Sequence, residues 1–84
     1  MAENIGATEI YPGVTVDPRV VHGKPVIAGA RVLVSSIVGH LAAGDTIETI
    51  CEEYDLTPEQ VRAALGYAAE RVAAEEVHIV PSSI

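Results

Sequence analysis

Residues 47–65 read IETICEEYDLTPEQVRAAL, and this stretch predicts two helices separated by a very short break. The first helix presents one apolar face at intervals of three and four residues: Ile47, Ile50, Cys51 and Tyr54. Asp55 and Leu56 form the break, and Leu56 is expected to fill the angle between the helices. The second helix begins with Thr57-Pro58-Glu59-Gln60, a Thr cap, a Pro in the first turn and a Gln at the capping-box position.

The same helical periodicity extends to both sides of this stretch. Downstream, the second helix is expected to run to about Glu76 with one apolar face: Val61, Ala64, Leu65, Ala68 and Val72. Upstream, another helix is indicated by Val34, Ile37, Val38, Leu41 and Ala42. We expect Ser35 to cap its start and Gly44 to end it in a left-handed turn. Asp45 and Glu48 resemble an acidic capping box for the helix that follows. Together these helices predict a mainly α, tri-helical helix-turn-helix core.

The N-terminal part of the chain predicts short strands rather than helices. Residues 14–16 alternate apolar and polar side chains, and residues 26–30 form a second apolar stretch framed by Gly23 and Gly29. These two stretches predict a short N-terminal β hairpin or strand segment. Residues 1–9 lack periodicity and are expected to be disordered, residues 10–76 to form one domain, and residues 77–84 to form a C-terminal tail.

The composition indicates a small domain with an aliphatic core and a surface that binds a macromolecular partner. Among 84 residues, 49% are apolar, with no Trp or Phe, which is more apolar surface than so small a chain readily hides. A second copy or another protein is therefore expected to cover part of it. A single cysteine, Cys51, makes a disulfide framework unworkable and is expected to be a buried, inert thiol. No stretch resembles a transmembrane helix or a signal peptide, so a cytoplasmic location away from membranes is expected.

Charge is distributed unevenly along the chain. The net charge is −7, and residues 1–42 balance to zero, so the whole excess lies in residues 43–84, where nine acids meet only Arg62 and Arg71. Affinity for duplex DNA comes mainly from Lys and Arg contacts to phosphates. The spacing therefore predicts a helix-turn-helix, whereas the charge argues against DNA binding by this domain alone.

Two segments resemble a known family. Residues 22–32, HGKPVIAGARV, and residues 56–65, LTPEQVRAAL, closely resemble a widespread bacterial family of domains of unknown function, and the resemblance covers about residues 10–72. That family has a homeodomain-like fold and is classed with the VapB-type antitoxins. The resemblance implies an antitoxin that pairs with a PIN-domain endoribonuclease toxin and can help to repress its own operon.

The same resemblance implies how such a partner would be held. In these pairs the toxin's active site is a cluster of acidic residues around a divalent metal, and a basic side chain of the antitoxin can occupy it. Arg19, Lys24 and Arg31 are the candidates in this chain. The contact is expected through this basic loop, through the C-terminal tail, or through both.

Other functions remain open from the residues. A small transcriptional regulator that binds operator DNA as a dimer would use Gln60, Arg62 and Arg71, together with the N-terminal basic residues. A small-residue stripe on the last helix predicts a dimer interface: Ala63, Gly66, Ala69 and Ala73. An interaction module without any toxin is a third possibility. An enzyme is not expected, since the histidines are scattered, no metal-ligand spacing occurs and no cofactor motif is present.

Overall fold

The chain builds an antiparallel sheet followed by three helices. The structure, a computed structural model, describes residues 6–75. The sheet has the strand order β1-β2-β3, with β1 at Thr8–Tyr11, β2 at Val14–Val16 and β3 at Val26–Ile27. The helices are α1 at Val34–Ala42, α2 at Ile47–Tyr54 and α3 at Pro58–Ala73. A short 3₁₀ turn, Val21–Gly23, lies between β2 and β3.

The sheet is larger than the sequence predicts. The strand at Val14–Val16 is confirmed, but β1 also includes Thr8 and Glu9, so the expected disorder of residues 1–9 is wrong at these two positions. Residues 1–5 lie outside the described residues. Strand β1 forms because Gly13, with φ +88°, closes a tight turn that lets β1 pair with β2. The Glu9 carboxylate accepts the Gly13 N–H at 3.1 Å and fastens this turn.

The second predicted strand is shorter than expected. We predict a strand over residues 26–30, but β3 contains only Val26 and Ile27. Gly29 has φ +79°, and the Ala30 N–H donates to the Ile27 carbonyl at 3.0 Å, so the chain turns back immediately after Ile27. The turn brings the chain directly to the start of α1.

Helix α1 is confirmed, but its start differs from the prediction. The N-cap is Leu33, which makes no side-chain cap, and Ser35 lies inside the helix with an exposed side chain. The Val34 N–H donates to the Pro25 carbonyl at 3.1 Å, so tertiary structure satisfies this helix end in place of a serine. The predicted left-handed end is confirmed, since Gly44 has φ +102° and donates to the Leu41 carbonyl.

Helix α2 is capped by a residue other than the one predicted. Thr46 is the N-cap and accepts the Thr49 N–H at 3.1 Å, so the Asp45–Glu48 capping box is wrong. Asp45 instead accepts a hydrogen bond from His40 Nδ1 at 2.6 Å. The other ring nitrogen of His40 bonds the Tyr54 hydroxyl at 2.8 Å. The His40 ring therefore ties the end of α1 to the residue before the N-cap of α2 and to the last residue of α2.

Helix α3 starts as the sequence predicts. Thr57 accepts the Gln60 N–H at 3.2 Å, the Gln60 side chain accepts the Thr57 N–H at 2.8 Å, and Pro58 follows the cap. The helix ends at Ala73, a few residues before the predicted end at Glu76, which lies outside the described residues. Val72 was expected on the core face but is 63% exposed, because nothing in the described chain packs over the last turn.

The core is aliphatic, as the composition predicts. Its buried residues come from the sheet, from all three helices and from the α2–α3 break: Val14, Val26, Ile27, Val34, Ile37, Ile50, Leu56, Val61 and Ala64. Helix α3 packs against α1, α2 and the sheet, and Leu56 fills the angle between α2 and α3 as expected. A helical core is thus confirmed, while the homeodomain-like arrangement stays a prediction.

The break between α2 and α3 contains a strained position that gives a stability prediction. Asp55 is exposed and adopts the left-handed conformation, φ 58° and ψ 51°, which costs free energy for any residue with a Cβ. We expect Asp55→Gly to raise the free energy of unfolding by about 0.5–1 kcal/mol, measured by urea denaturation. Asp55→Ala is the matched control. An equal gain from alanine would contradict the backbone explanation.

Candidate partner-binding surface

The three basic residues singled out above lie on the two loops that flank β3. Arg19 and Lys24 lie between β2 and β3, and Arg31 lies between β3 and α1. The basic loop is defined here as residues 17–33, which include the short strand β3. Its first turn is organised by Asp17, which is 7% exposed although it is charged. The Asp17 carboxylate accepts the Arg19 backbone N–H at 2.9 Å and the Arg19 guanidinium at 3.2 Å through Nε and at 3.2 Å through Nη2. Arg19 is thus held against its own loop, although its side chain is 66% exposed.

These contacts set the ionisation of Asp17. Hydrogen bonds from the Arg19 side chain, and then from its backbone N–H, lower the pKa of Asp17 below its ordinary value of 3.8, outweighing the opposing effect of burial. The charges of Arg19 and Arg31 lower it further. The same pairing raises the pKa of Arg19. The folded loop therefore favours the ionised form of Asp17.

This shift predicts a pH dependence of stability. Because the pKa of Asp17 is lower in the folded than in the unfolded chain, its contribution is complete above about pH 3.8 and is lost as the pH falls through the folded value. We expect Asp17→Asn to be less stable than the wild type at neutral pH, with a difference that shrinks on acidification. Urea denaturation across acidic pH measures this difference. The control is Glu70→Gln, which replaces an exposed carboxylate on α3. If Asp17→Asn remains equally less stable than the wild type at the lowest pH, the stabilising role of the ionised Asp17 is contradicted.

Arg31 and Lys24 present their charges differently from Arg19. Both side chains are exposed, and neither forms a hydrogen bond or an ion pair within residues 6–75. Arg31 lines a cleft of about 190 Å³ together with Asp17, so the structure brings Arg31 close to the Asp17–Arg19 pair. Lys24 follows the 3₁₀ turn and is not among the residues that line this cleft.

The backbone before Lys24 is unusual. Val21, His22 and Gly23 all have positive φ angles, 47°, 56° and 78°. A β-branched residue rarely adopts such a conformation, and strain of this kind persists only where surrounding structure imposes it. The Lys24 N–H donates to the Val21 carbonyl at 3.1 Å and closes the turn. Lys24 therefore projects from a defined turn rather than from an unconstrained loop.

The residues proposed for DNA binding are not brought together. The Gln60 side chain is engaged in the α3 capping box. Arg62 and Arg71 are both exposed, but they are nine positions apart along α3, which at about 100° per residue places them on opposite sides of the helix. A single copy thus offers no continuous basic face on this helix.

The small-residue stripe is divided between two environments. A Cβ on Gly66 would collide with the Tyr11 hydroxyl and lie 2.9 Å from Tyr11 Cζ, and a Cβ on Gly13 would lie 3.0 Å from Ala63. Ala63 and Gly66 thus serve the close packing of the chain's own β1–β2 hairpin on α3. Ala69 and Ala73 are exposed and remain candidates for a dimer contact.

Two features of the site region were missed from the sequence. The role of Asp17 has a local signal, because Asp at the start of an Asp-Pro-Arg turn is well placed to bind backbone two residues later. The Asp45–His40–Tyr54 cluster has no such signal, since only the packing of α1 on α2 brings it together.

Neither a group of three metal-ligating side chains nor a membrane-spanning helix occurs among residues 6–75. Among residues 6–75, no three His, Cys, Asp or Glu side chains are grouped so that they could hold a metal ion. No helix in this part of the chain has the length and apolar character needed to cross a bilayer. Cys51, expected to be buried, is half-buried on α2.

Comparisons with known proteins agree with this architecture. The chain is 42% identical over 56 residues to the Mycobacterium tuberculosis protein named "Putative antitoxin VapB45", covering 67% of this chain and 23% of that protein. The crystal structure of Rv2018 from Mycobacterium tuberculosis superposes with a TM-score of 0.57 at 42% identity, covering 62% of this chain and 24% of that one. The chain thus spans about a quarter of the length of each relative. Residues 14–68 match the family described as "Protein of unknown function (DUF433)", and the chain belongs to this DUF433 family.

Proposed function

We propose that this chain is an antitoxin that binds a PIN-domain endoribonuclease and blocks its active site with the basic loop, residues 17–33. The observation that carries the proposal is the 42% identity to a relative named as an antitoxin, across 67% of this chain. The family match, residues 14–68, includes the whole basic loop and most of the three helices. No catalytic role of its own is assigned to the chain.

Arg31 and Lys24 are the side chains best suited to enter such an active site. A cluster of carboxylates around a divalent metal attracts cations, and an arginine can bind a carboxylate through two parallel hydrogen bonds. Both residues are exposed and have no ion-pair partner within residues 6–75. Arg19 has a supporting part, because its bonds to Asp17 hold the first turn of the loop.

Repression of its own operon is a secondary function in this proposal, because a single copy offers no continuous basic surface on α3. Gln60 is engaged in a helix cap, Arg62 and Arg71 lie on opposite sides of α3, and acidic residues surround Arg62. Operator binding would therefore need a dimer, or the complex with the toxin, to gather basic residues from more than one chain. A dimer would use the exposed part of the stripe, Ala69 and Ala73. The proposal includes a cytoplasmic location, where a ribonuclease meets its RNA substrates.

Affinity capture tests the proposal. The tagged full chain is captured from the organism that encodes it, at moderate salt, and retained proteins are identified and quantified by mass spectrometry. We expect a PIN-domain protein in equimolar amount, because a packed protein interface survives salt that screens phosphate contacts. Recovery of the chain alone, with DNA retained at low salt, would contradict the antitoxin proposal and favour a transcriptional regulator.

A further inference from the structure

A second surface, on the outer side of α2 and α3, has the properties of a docking groove. The groove has a volume of about 570 Å³ and lies between α2 and the first turns of α3. Its apolar floor is formed by Ile47, Cys51 and Pro58, and its charged rim by Glu48, Glu52 and Arg62. None of these residues lines the cleft beside Asp17 and Arg31, so the groove is a separate surface.

The floor of the groove is apolar surface that the fold leaves uncovered. Ile47 and Cys51 pack on the core from one side and are only half-buried, and Pro58 is exposed. Ile50 and Leu56 fill the angle between α2 and α3 beneath them. Along α2, the apolar residues Ile47 and Cys51 are four positions apart, and so are the acidic residues Glu48 and Glu52. The result is an apolar row and an acidic row side by side, about one helical turn long.

The charge at this groove selects the class of partner. Residues 47–62 contain five acids, Glu48, Glu52, Glu53, Asp55 and Glu59, against Arg62. Glu48 and Glu52 form no side-chain hydrogen bond or ion pair within residues 6–75. Glu48, in the first turn of α2, interacts favourably with the helix dipole, whereas the like charge of Glu52 one turn later opposes helix formation. The groove repels a nucleic-acid backbone and attracts a cationic partner.

We propose that the α2–α3 groove docks a basic amphipathic helix of the protein partner. Glu48 and Glu52 lie about 6 Å apart along α2, which matches two Lys or Arg side chains one turn apart on a facing helix. An aliphatic side chain between them would cover Ile47 and Cys51, as in other helix-in-groove complexes. The inference rests on the proposed function in one respect, since the helix is assigned to the toxin that the basic loop contacts.

A synthetic helix tests the groove directly. The probe is a fluorescein-labelled peptide of Leu, Ala and Lys, about 18 residues long so that it can be helical, with its Lys residues on one face. We expect binding to the isotope-labelled full chain to shift NMR signals of residues 47–52 and 58–62. A peptide of the same composition in scrambled order, without an apolar face, should bind at least about tenfold more weakly.

Paired charge variants distinguish docking from general attraction. Glu48→Gln with Glu52→Gln is expected to weaken peptide binding about tenfold or more, whereas the control pair Glu70→Gln with Glu75→Gln should change it less than about twofold. Equal effects of the two pairs, or NMR shifts spread over all acidic residues, would overturn the inference. So would binding of duplex DNA at the same groove.

The proposed function and this inference fail in different ways. If the wild-type chain captures no PIN-domain protein, the proposed function is contradicted. The peptide experiment then still tests whether the groove binds a basic helix. If the wild type and the Glu48→Gln, Glu52→Gln variant capture the toxin equally well, the groove is not the site of toxin docking. This conclusion does not depend on whether the basic loop binds the toxin.

Discussion

Replacing Gly66 with alanine is expected to lower the free energy of unfolding by about 1–3 kcal/mol, the usual cost of overpacking. In an open helix the same change is stabilising by about 1 kcal/mol, because glycine is a poor helix former. At Gly66 the added methyl would collide with the Tyr11 hydroxyl and approach Tyr11 Cζ to 2.9 Å. Tyr11 must then move off α3 and away from Tyr67, whose ring centroid lies 6.1 Å from its own.

The chain offers two controls for this prediction. Gly39, within α1, has open space where a Cβ would be added, so Gly39→Ala is expected to stabilise by about 1 kcal/mol. In a Tyr11→Ala background the obstacle is removed, and Gly66→Ala should then become stabilising as well. Urea denaturation of the four single and double variants measures this reversal of sign. If Gly66→Ala stabilises the protein with Tyr11 present, the hairpin does not pack closely on α3, and the whole stripe returns as a candidate dimer interface.

Reversing the charges of Lys24 and Arg31 together is expected to weaken toxin binding at least about 100-fold. Truncating one partner of a buried, hydrogen-bonded charge pair at an interface costs about 2–5 kcal/mol, and reversal adds repulsion from the toxin's carboxylates. Both side chains are exposed and form no hydrogen bond or ion pair within residues 6–75, but the charge of Arg31 also favours the ionised Asp17. We therefore expect a loss of about 1 kcal/mol or less in the free energy of unfolding, smaller than the loss in binding, and urea denaturation of the same variant measures it. The effect on binding is thus separable from an effect on folding.

The charge-matched control for each single reversal, Lys24→Glu or Arg31→Glu, is Arg71→Glu, which makes the same change of charge at an exposed arginine on α3. Calorimetric titration of the purified toxin with each variant measures the affinities. Arg71→Glu should leave the affinity within about threefold of the wild type, because a distant exposed charge is largely screened by salt. A loss for Arg71→Glu equal to the loss for Lys24→Glu or for Arg31→Glu alone would show general electrostatic attraction and not insertion of the loop.

The helices could be predicted because their signals are local. The Thr57–Gln60 capping box and the apolar spacing of α2 depend on residues within one or two turns, and both are confirmed. Where two neighbouring residues are both suitable N-caps, the sequence alone predicts the wrong one. Asp45 and Thr46 are both good N-caps, and Thr46 holds the position while Asp45 bonds His40.

The sheet and the packing of the hairpin on α3 depend on distant parts of the chain. Thr8 and Glu9 become a strand only through pairing with β2, and no periodicity in residues 1–9 indicates this. Gly66 and Ala63 are spaced like an interface stripe, but their contacts, Tyr11 and Gly13, lie fifty or more positions away in sequence. The three candidate loop cations were predicted by residue type and resemblance. Only the structure distinguishes Arg19, held by Asp17, from the exposed Arg31 and Lys24.

The most direct test of the antitoxin proposal is a titration of RNA cleavage. The captured PIN-domain ribonuclease is purified, supplied with its divalent metal and RNA, and titrated with the full-length chain. We expect cleavage to fall to background at one equivalent of chain, and the Lys24→Glu, Arg31→Glu variant to need at least about 100-fold more. Undiminished cleavage in the presence of a large excess of wild-type chain would contradict the proposal that this protein neutralises the enzyme.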